Sequence, residues 1–279
     1  MSYAVGVDIG GSKIAAGLVD GRRVLKKKVV KTPKTRKALL KAILDSIDYV
    51  NSSKSRGIGI GVAGSVDKDG NWLRSHNIPC VKNIPLKRIV QRRFRKKVEV
   101  NNDANCFALE EAVMGAGKNK RCVFGLILGT GTGGGIVIDR KLHNGANFLA
   151  GEVGMIGYPD NIEKYCSGRF IKNLARKYRM KPDPYLISEM AGKGHKKARK
   201  IYMEFGRNVG YLLSIIINVM NPDMIILGGG VSNNFVFFSS AMMKSMKKHL
   251  FYKETHKTAV RLFKNKEYGI LGAALLIKH

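Results

Sequence analysis

The chain opens on two apolar runs, Tyr3 to Ile9 and Lys13 to Val19, joined at Gly10-Gly11-Ser12. This predicts strand–turn–strand, and Arg23 to Lys31 adds a third strand after another short turn. From Lys34 to Val50 the spacing becomes helical, with Leu39, Leu40, Ile43, Leu44 and Ile47 on one side. Ile58 to Val62 predicts a short buried strand running into Ala63-Gly64-Ser65. Lys87 to Lys97 predicts an amphipathic helix with a basic solvated side. Val98 to Asn101 is a further strand ending at Asn102-Asp103, and Asp103 to Gly115 reads as a helix.

Cys122 to Gly129 and Gly135 to Asp139 then predict strands around a run of glycines and threonines. This repeats the opening pattern: Gly6, Gly10, Val19 and Asp20 fall on Gly125, Gly129, Ile138 and Asp139 at a constant offset of 119. One such pair suggests two lobes on the same plan. Helices follow at Phe170 to Tyr178 and Lys196 to Met220, the second stopped by Pro222. A strand at Met224 to Leu227, a helix at Phe235 to His249, a strand at Ala259 to Phe263 and a last helix from Ile270 complete the pattern. Strands and helices alternate throughout, so the fold class is α/β. No long linker separates the halves, and the lobe boundary is placed near Asn102.

Composition changes this picture in one respect. At 279 residues the chain can bury a full core, and 44% hydrophobic with 25% charged residues is ordinary for a globular protein. The net charge of +30 is not ordinary. It raises the prospect of an anionic partner, yet the bases are spread along the whole chain, so a nucleic-acid partner is not expected. Cys80, Cys106, Cys122 and Cys166 stand far apart with no CxxC pair, which fits neither a disulfide framework nor a zinc ribbon. The start lacks a basic region followed by an apolar one and a cleavage site. The most apolar stretch, Val209 to Met220, is too short to span a bilayer. A cytoplasmic location without membrane association is the expectation.

Three glycine-rich turns follow apolar strands: Asp8-Ile9-Gly10-Gly11-Ser12-Lys13, Gly129 to Gly135, and Gly228-Gly229-Gly230. Glycines let backbone N–H groups close around an anion, and Thr or Lys adds side-chain donors. One such turn is more often a plain hairpin; three together point to a nucleotide. None is a P-loop and none opens a Rossmann unit. Asp103, between a strand end and a helix start, fits two roles: an N-cap, or a base that takes a proton from a hydroxyl acceptor.

Seven motifs stand in one order along the chain. They are Asp8 to Lys13, Gly61-Val62-Ala63-Gly64-Ser65-Val66-Asp67, Asn77-Ile78-Pro79, Asn102-Asp103-Ala104-Asn105, Gly129 to Gly135, Gly151-Glu152-Val153-Gly154 and Leu227 to Ser232. The order, closed by Gly269-Ile270-Leu271-Gly272-Ala273-Ala274, resembles the ROK family of sugar kinases, within the actin-like ATPase superfamily. The resemblance implies two actin-like (ribonuclease H-like) lobes with a cleft between them. The N-terminal lobe would be residues 1–102, closed by the helix of residues 268–279, and the C-terminal lobe residues 103–267. It implies an ATP- and Mg²⁺-dependent kinase acting on a hexose hydroxyl, with glucose as default acceptor and fructose, mannose or N-acetylated hexosamines open. Asp103 is then the catalytic base. Asp8, Gly10, Gly11 and Lys13 match the first phosphate motif, with Asp8 near the Mg²⁺. Thr130, Gly131, Thr132 and Gly133 match the second, and Gly229 and Gly230 the turn beside the nucleoside. Gly64, Asn77, Asn102, Glu152 and Glu163 match sugar contacts, although Glu163 also reads as an exposed acid at a helix start. Family members are often dimers or tetramers, so a homo-oligomer is possible.

The chain departs from the family at Glu152-Val153-Gly154-Met155, where the family has Glu-x-Gly-His. That His normally ligates zinc and touches the sugar. The family's following cysteine cluster is replaced by Gly157 to Asn161, leaving Cys166 alone. Losing both ligand types together predicts no structural zinc. Ala63 stands where the family usually has Pro. Three other readings remain: a sugar-responsive repressor, which needs a helix-turn-helix before Asp8; a kinase-like binding protein with lost catalysis; and a kinase for an anionic sugar derivative, which would give the basic surface a purpose.

Overall fold

The computed structural model describes residues 3–157, 160–263, 265 and 267–278. Contacts divide the chain into two compact units: 1–120, 135–151 and 264–279 form the first, and 121–134 with 152–263 the second. The boundary placed at 102/103 from sequence falls inside the first unit. Among the described residues no helix is long and apolar enough to cross a membrane.

In the first unit, β1 (Tyr3–Ile9), β2 (Lys13–Asp20) and β3 (Arg23–Lys31) are followed by α1 (Arg36–Val50) and β4 (Ser55–Val62). Three short strands, β5 (Ser65–Val66), β6 (Trp72–Arg74) and β7 (Lys82–Ile84), precede α2 (Leu86–Phe94), β8 (Lys97–Asn102) and α3 (Asp103–Val113). The main sheet has the order β3-β2-β1-β4-β8. β1, β2 and β3 pair antiparallel, and β4 and β8 run parallel to β1. The short strands make a separate three-stranded sheet that carries no periodicity long enough to read from sequence. α2 buries Leu86 and Val90 and leaves Arg88, Arg92 and Arg93 exposed. It ends earlier than predicted because Arg95 adopts the left-handed conformation (φ 52°) and Lys97 already belongs to β8.

The two faces of this sheet differ in kind. Val5, Val7, Ile9, Ile58, Ile60 and Val62 join one cluster with Leu39, Ile43, Ile47 and Val50 of α1. The alternate residues are small: Gly6 on β1, Gly17 on β2, and Gly57, Gly59 and Gly61 on β4. Strand alternation sends them to the opposite face. There the last helix, α9, docks backbone to backbone. A Cβ on Gly6 would lie 1.9 Å from the Ile270 carbonyl oxygen, and one on Gly59 would lie 1.7 Å from that of Ala273. Gly272 in turn approaches the Cys106 carbonyl of α3, 2.1 Å from where a Cβ would sit. Ala4, Ala15, Val19, Ile270, Leu271 and Ala274 fill one small cluster here, and Cys106, Leu109, Val113, Ala273, Leu275 and Leu276 another.

In the second unit β9 (Cys122–Leu128) opens the chain and leads to β10 (Thr132–Ile138), which passes into the first unit at Gly135. There β10 turns back into β11 (Lys141–Leu142). β10 begins three residues earlier than predicted, because its glycines accept extended backbone where bulkier residues would not fit; a Cβ on Gly135 would meet the Ala104 carbonyl at 2.8 Å. The second unit continues with α4 (Glu163–Cys166), α5 (Gly168–Lys177), α6 (Pro184–Gly192) and α7 (Lys196–Met220). β12 (Met224–Gly228), α8 (Phe235–His249) and β13 (Ala259–Leu262) follow, and α9 (Tyr268–Leu275) returns to the first unit. β12 pairs parallel with β9 on one side and β13 on the other. α7 and α8 cross closely at Gly206 and Gly210, where a Cβ would lie 2.5 and 2.2 Å from the carbonyls of Phe238 and Met242. α7 stops where Asn221 turns left-handed ahead of Pro222. α6 is an element the hydrophobic pattern does not predict, although it carries a clear start signal, Asp183 as N-cap and Pro184 at its first position.

The glycine face predicts a severe steric effect. Gly59→Ala places a methyl group against a helix carbonyl and destabilises the fold by about 1–3 kcal/mol, as overpacking does. Thermal unfolding of Gly59→Ala beside Gly230→Ala, where nothing lies within 4 Å of the added Cβ and φ is not positive, checks this; a Gly59 variant as stable as the wild type would show that α9 is not seated on the sheet.

Candidate active site

In the first unit the functional residues gather at the C-terminal ends of β1, β4 and β8 and the start of α3. The first glycine turn is braced from β3's end: Thr32 Oγ1 donates to the Gly10 carbonyl at 2.7 Å and the Thr32 amide to that of Ser12 at 3.1 Å. The Gly10 amide closes the turn on the Lys13 carbonyl at 3.0 Å, leaving the Lys13 side chain exposed. A Cβ on Gly11 would stand 2.8 Å from that of Asn77, so these two predicted residues are neighbours.

Asp8 lies on the glycine face beside α9, its Oδ2 within 2.5 Å of where a Gly269 Cβ would sit. Burial raises its carboxyl to about 6, against which Lys13 pulls down. The charges of Asp8 and Asp103 both act on Cys106, whose thiol burial first holds well above its usual range. They act likewise on Tyr268, whose phenol burial and then the two carboxylates push up to about 12. Tyr268 stands edge-on to Phe107 of α3, ring centroids 5.1 Å apart. Asp8, Asp103, Cys106 and Tyr268 thus form one electrostatic group.

The two roles open to Asp103 are divided by the structure. Asn102 is the N-cap, its Oδ1 accepting the Ala104 amide at 2.8 Å, and Asp103 is the first helical residue. Asp103 Oδ1 also meets the Ala104 amide, at 3.0 Å. The Asn102 side-chain nitrogen donates to the Gly64 carbonyl at 2.9 Å. Asn102 therefore ties the Gly64 turn to the start of α3, and both ends of its amide are used. Gly64 itself has φ 126° and its Cα faces the Arg74 carbonyl, a conformation and a clearance only glycine allows.

In the second unit the loop after β9 is held from below by α4. Glu163 Oε2 accepts the Thr132 amide at 2.9 Å, and its other oxygen accepts from the Arg169 guanidinium. Thr132 is buried, and its hydroxyl donates to the Cys166 carbonyl at 2.9 Å. The Gly168 amide reaches the Gly129 carbonyl at 2.8 Å, which starts α5 two residues earlier than predicted. Thr132 is thus a brace of the loop, while Thr130 is exposed. Gly131 packs directly on Glu163, a Cβ there falling 2.4 Å from Oε2. Gly229, with φ 85°, passes over Leu128 of β9, and Gly230 stands in open space. Glu152 is exposed, ahead of a short 3₁₀ turn, Val153–Met155. Sequence reasoning missed Arg169 and Cys166, which brace this loop, and Tyr268 of the Asp8 group, because none belongs to a glycine motif.

Met155, at the position where the resemblance implies a zinc-ligating His, is 46% exposed and its sulfur accepts from Asn161 at 3.4 Å. Burial pushes the Cys166 thiol up to about 12, which opposes the thiolate a zinc ion needs. Tyr158 and Pro159 of the replaced segment lie outside the described residues. Among those described, no three His, Cys, Asp or Glu residues converge as a metal site. Mg²⁺ needs less, one or two carboxylates with phosphates and water completing its shell. Asp8 fits: it is a desolvated carboxylate whose ionised form lacks full compensation.

A family model described as the ROK family matches residues 4–279. The N-acetyl-D-glucosamine kinase of Citrobacter koseri is 31% identical, with 88% of this chain and 89% of that protein covered. The N-acetylgalactosamine kinase AgaK of a Shewanella species is 32% identical, covering 97% and 95%. Among solved structures, a ROK family glucokinase from Streptomyces griseus in complex with glucose and AMPPNP is 32% identical, with a TM-score of 0.84 and 99% of both chains covered.

The raised carboxyl of Asp8 gives a signed prediction. The folded chain holds that proton up to about 6 and the unfolded chain only to 3.8. Ionising Asp8 therefore lowers stability as pH rises through this window. Asp8→Asn should stabilise the nucleotide-free protein by up to about 3 kcal/mol at pH 7.5 and by little at pH 4. Melting curves at the two pH values check it; a variant no more stable than the wild type at pH 7.5 would show that Asp8 is solvated.

Proposed function

Because this chain belongs to the ROK family, and is a sugar kinase by that membership, we propose that it transfers the γ-phosphoryl group of ATP to a hydroxyl of an N-acetylated hexosamine. The observation that carries the chemistry is the pairing of Asp103, at the first turn of α3, with Asp8 in one electrostatic group. Phosphoryl transfer asks for an oriented acceptor, neutralised phosphate charge and a base for the departing proton.

Asp103 takes the proton from the attacking hydroxyl, and the N-terminal end of α3 favours its ionised form. Asn102 positions it by capping the same helix and holding the Gly64 turn. Gly64, Asn77, Asn102, Glu152 and Glu163 are the groups assigned to the sugar. A sugar reaching Asn102 or Glu163 exchanges a hydroxyl for a contact now made within the protein. Asp8 would hold Mg²⁺, which when bound would neutralise phosphate charge. Lys13 and the amides of Gly10 and Gly11 take phosphate oxygens, as do Thr130 and the amides of Gly131 and Gly133. Thr132 keeps that second loop in shape through Glu163 and Cys166. Gly229 and Gly230 leave room for the nucleoside.

The choice of acceptor rests on the two curated relatives, both N-acetylhexosamine kinases. Met155 and Ile156, 46% and 40% exposed beside the Glu152 turn, offer an apolar surface suited to an acetyl methyl group. Glucose is the second reading, favoured by the likeness to the Streptomyces griseus glucokinase.

An ADP-release assay with Mg²⁺-ATP and a panel of N-acetylated, neutral, amino and anionic sugars tests the reading. Fastest turnover is expected on an N-acetylated hexosamine; glucose in that place would select the second reading, and silence on every sugar would sink both. Asp103→Asn should lower kcat by about 10²- to 10⁴-fold while nucleotide binding stays close to normal. Near-normal turnover would remove Asp103 from the base role. Elemental analysis of the purified chain should find no stoichiometric zinc, and a full equivalent would overturn the reading of Met155.

A further inference from the structure

The segment between β6 and β7 runs across two of the glycine turns of the first unit. It leaves β6 at Arg74, which pairs with Ser65 of β5. It is anchored again at Ile78, 2% exposed in the core cluster, whose carbonyl accepts the Val81 amide at 3.0 Å. Between these fixed points lie Ser75, His76 and Asn77. A Cβ on Gly64 would stand 3.0 Å from the Ser75 Cα, and one on Gly11 would stand 2.8 Å from the Asn77 Cβ. His76 is the residue between those two contacts, its Cα one step of about 3.8 Å from each neighbour.

Both turns belong to the site already described. Asn102 holds the Gly64 carbonyl and caps the helix whose first residue is Asp103. Gly11 lies in the first phosphate motif. His76 therefore stands where the turn assigned to the sugar and the turn assigned to phosphate come closest along this segment. Ser75 keeps its hydroxyl buried, whereas His76 and Asn77 are exposed. Among the described residues the His76 ring makes no hydrogen bond or ion pair. The fold does not use this ring, and solvent reaches it.

The chemistry of the ring separates the two neighbours. Phosphate oxygens only accept, and the Gly10-Gly11 turn already offers amides and Lys13 to them. A neutral imidazole has one nitrogen that donates and one that accepts, which matches a sugar hydroxyl, itself donor and acceptor. We propose, resting on the sugar site assigned above, that His76 is a specificity-determining residue, its ring bonding one polar substituent of the acceptor other than the reacting hydroxyl. That bond is made in ground state and transition state alike, so it sets the sugar KM rather than kcat. The sequence motif singled out Asn77-Ile78-Pro79 and stopped one residue short of it.

Steady-state kinetics of the full chain, with Mg²⁺-ATP and the best acceptor of the sugar panel, tests this. His76→Ala should raise the sugar KM about five- to tenfold, the size of one neutral hydrogen bond. In the same variant kcat should move far less and the KM for ATP should hold. His76→Gln, which keeps a donor and an acceptor, should recover most of the affinity. The loss should also belong to one substituent. Among monodeoxy forms of the acceptor, the form lacking the bonded group should be handled equally by wild type and His76→Ala, while the others show the full loss. Both variants should melt with the wild type, and titration calorimetry with the sugar alone reads binding beside turnover. An unchanged sugar KM and Kd in folded His76→Ala overturns the role of His76 and leaves the kinase standing. So does a fall in kcat at constant KM, which would put the ring on the phosphoryl group, or an equal loss on every deoxy form, which would mean that His76 only shapes its loop. A wild-type chain that neither binds nor phosphorylates any sugar overturns the sugar site itself, and the role of His76 with it.

Discussion

The corner of the first unit that holds Asp8 and Asp103 depends on how closely α9 lies on its sheet. A helix usually rests on a sheet through a layer of side chains. Here the glycines of β1 and β4 remove that layer, and the carbonyls of Ile270 and Ala273 come where Cβ atoms would be. That approach brings Gly269 against Asp8 and Gly272 against Cys106, and sets Tyr268 against Phe107. Asp8 loses water because a helix covers it, and its raised carboxyl follows from the same packing. The desolvation of Asp8 is therefore a property of helix position, set by residues on three separate stretches of chain.

The second unit holds the glycine-rich loop after β9 by a different device. Its glycines leave the backbone free to curve, and side chains from α4 and the start of α5 then fix the curve. Glu163 and Cys166 each bond Thr132, and Gly168 bonds Gly129. Arg169 binds Glu163 from the other side. This network of a carboxylate, a guanidinium, the Cys166 carbonyl and the Gly168 amide gives the loop its support. Neighbouring bonds, from Asn161 to Met155 and from the Ile162 amide to the Ile156 carbonyl, close the segment that precedes it.

Much of this was legible in the sequence, for a physical reason in each case. The long periodic segment of α7 was bounded to the residue, and α8 closely, because a helix of that length shows its apolar face repeatedly. The glycine turns were legible because a strand followed by glycine and a polar residue narrows the local options. The β5–β7 sheet was not, since strands of two or three residues carry no period. Asp103 was correctly placed at the strand-to-helix junction, yet only coordinates could assign the cap to Asn102. The alternation Gly57-Ile58-Gly59-Ile60-Gly61 is in plain view and predicts a buried strand. It also specifies what the other face would meet, which a strand prediction alone leaves out. Thr132 matches a nucleotide contact in sequence because its spacing gives no sign of the Cys166 carbonyl, 34 residues later.

The glycine face also has a consequence in time. β4 ends at Val62 and its partner helix begins at Tyr268, so at about 5–20 residues per second some 10–40 s separate their emergence during synthesis. Throughout that interval the sheet, already covered by α1 on one side, waits on the other with only α3 beside Gly61 to cover it. Valines and isoleucines there would be an adhesive surface in a crowded cell. Glycine and alanine, with Val19 beside them, present little to stick to, so the face that must wait longest for its partner is the one least able to find a wrong one.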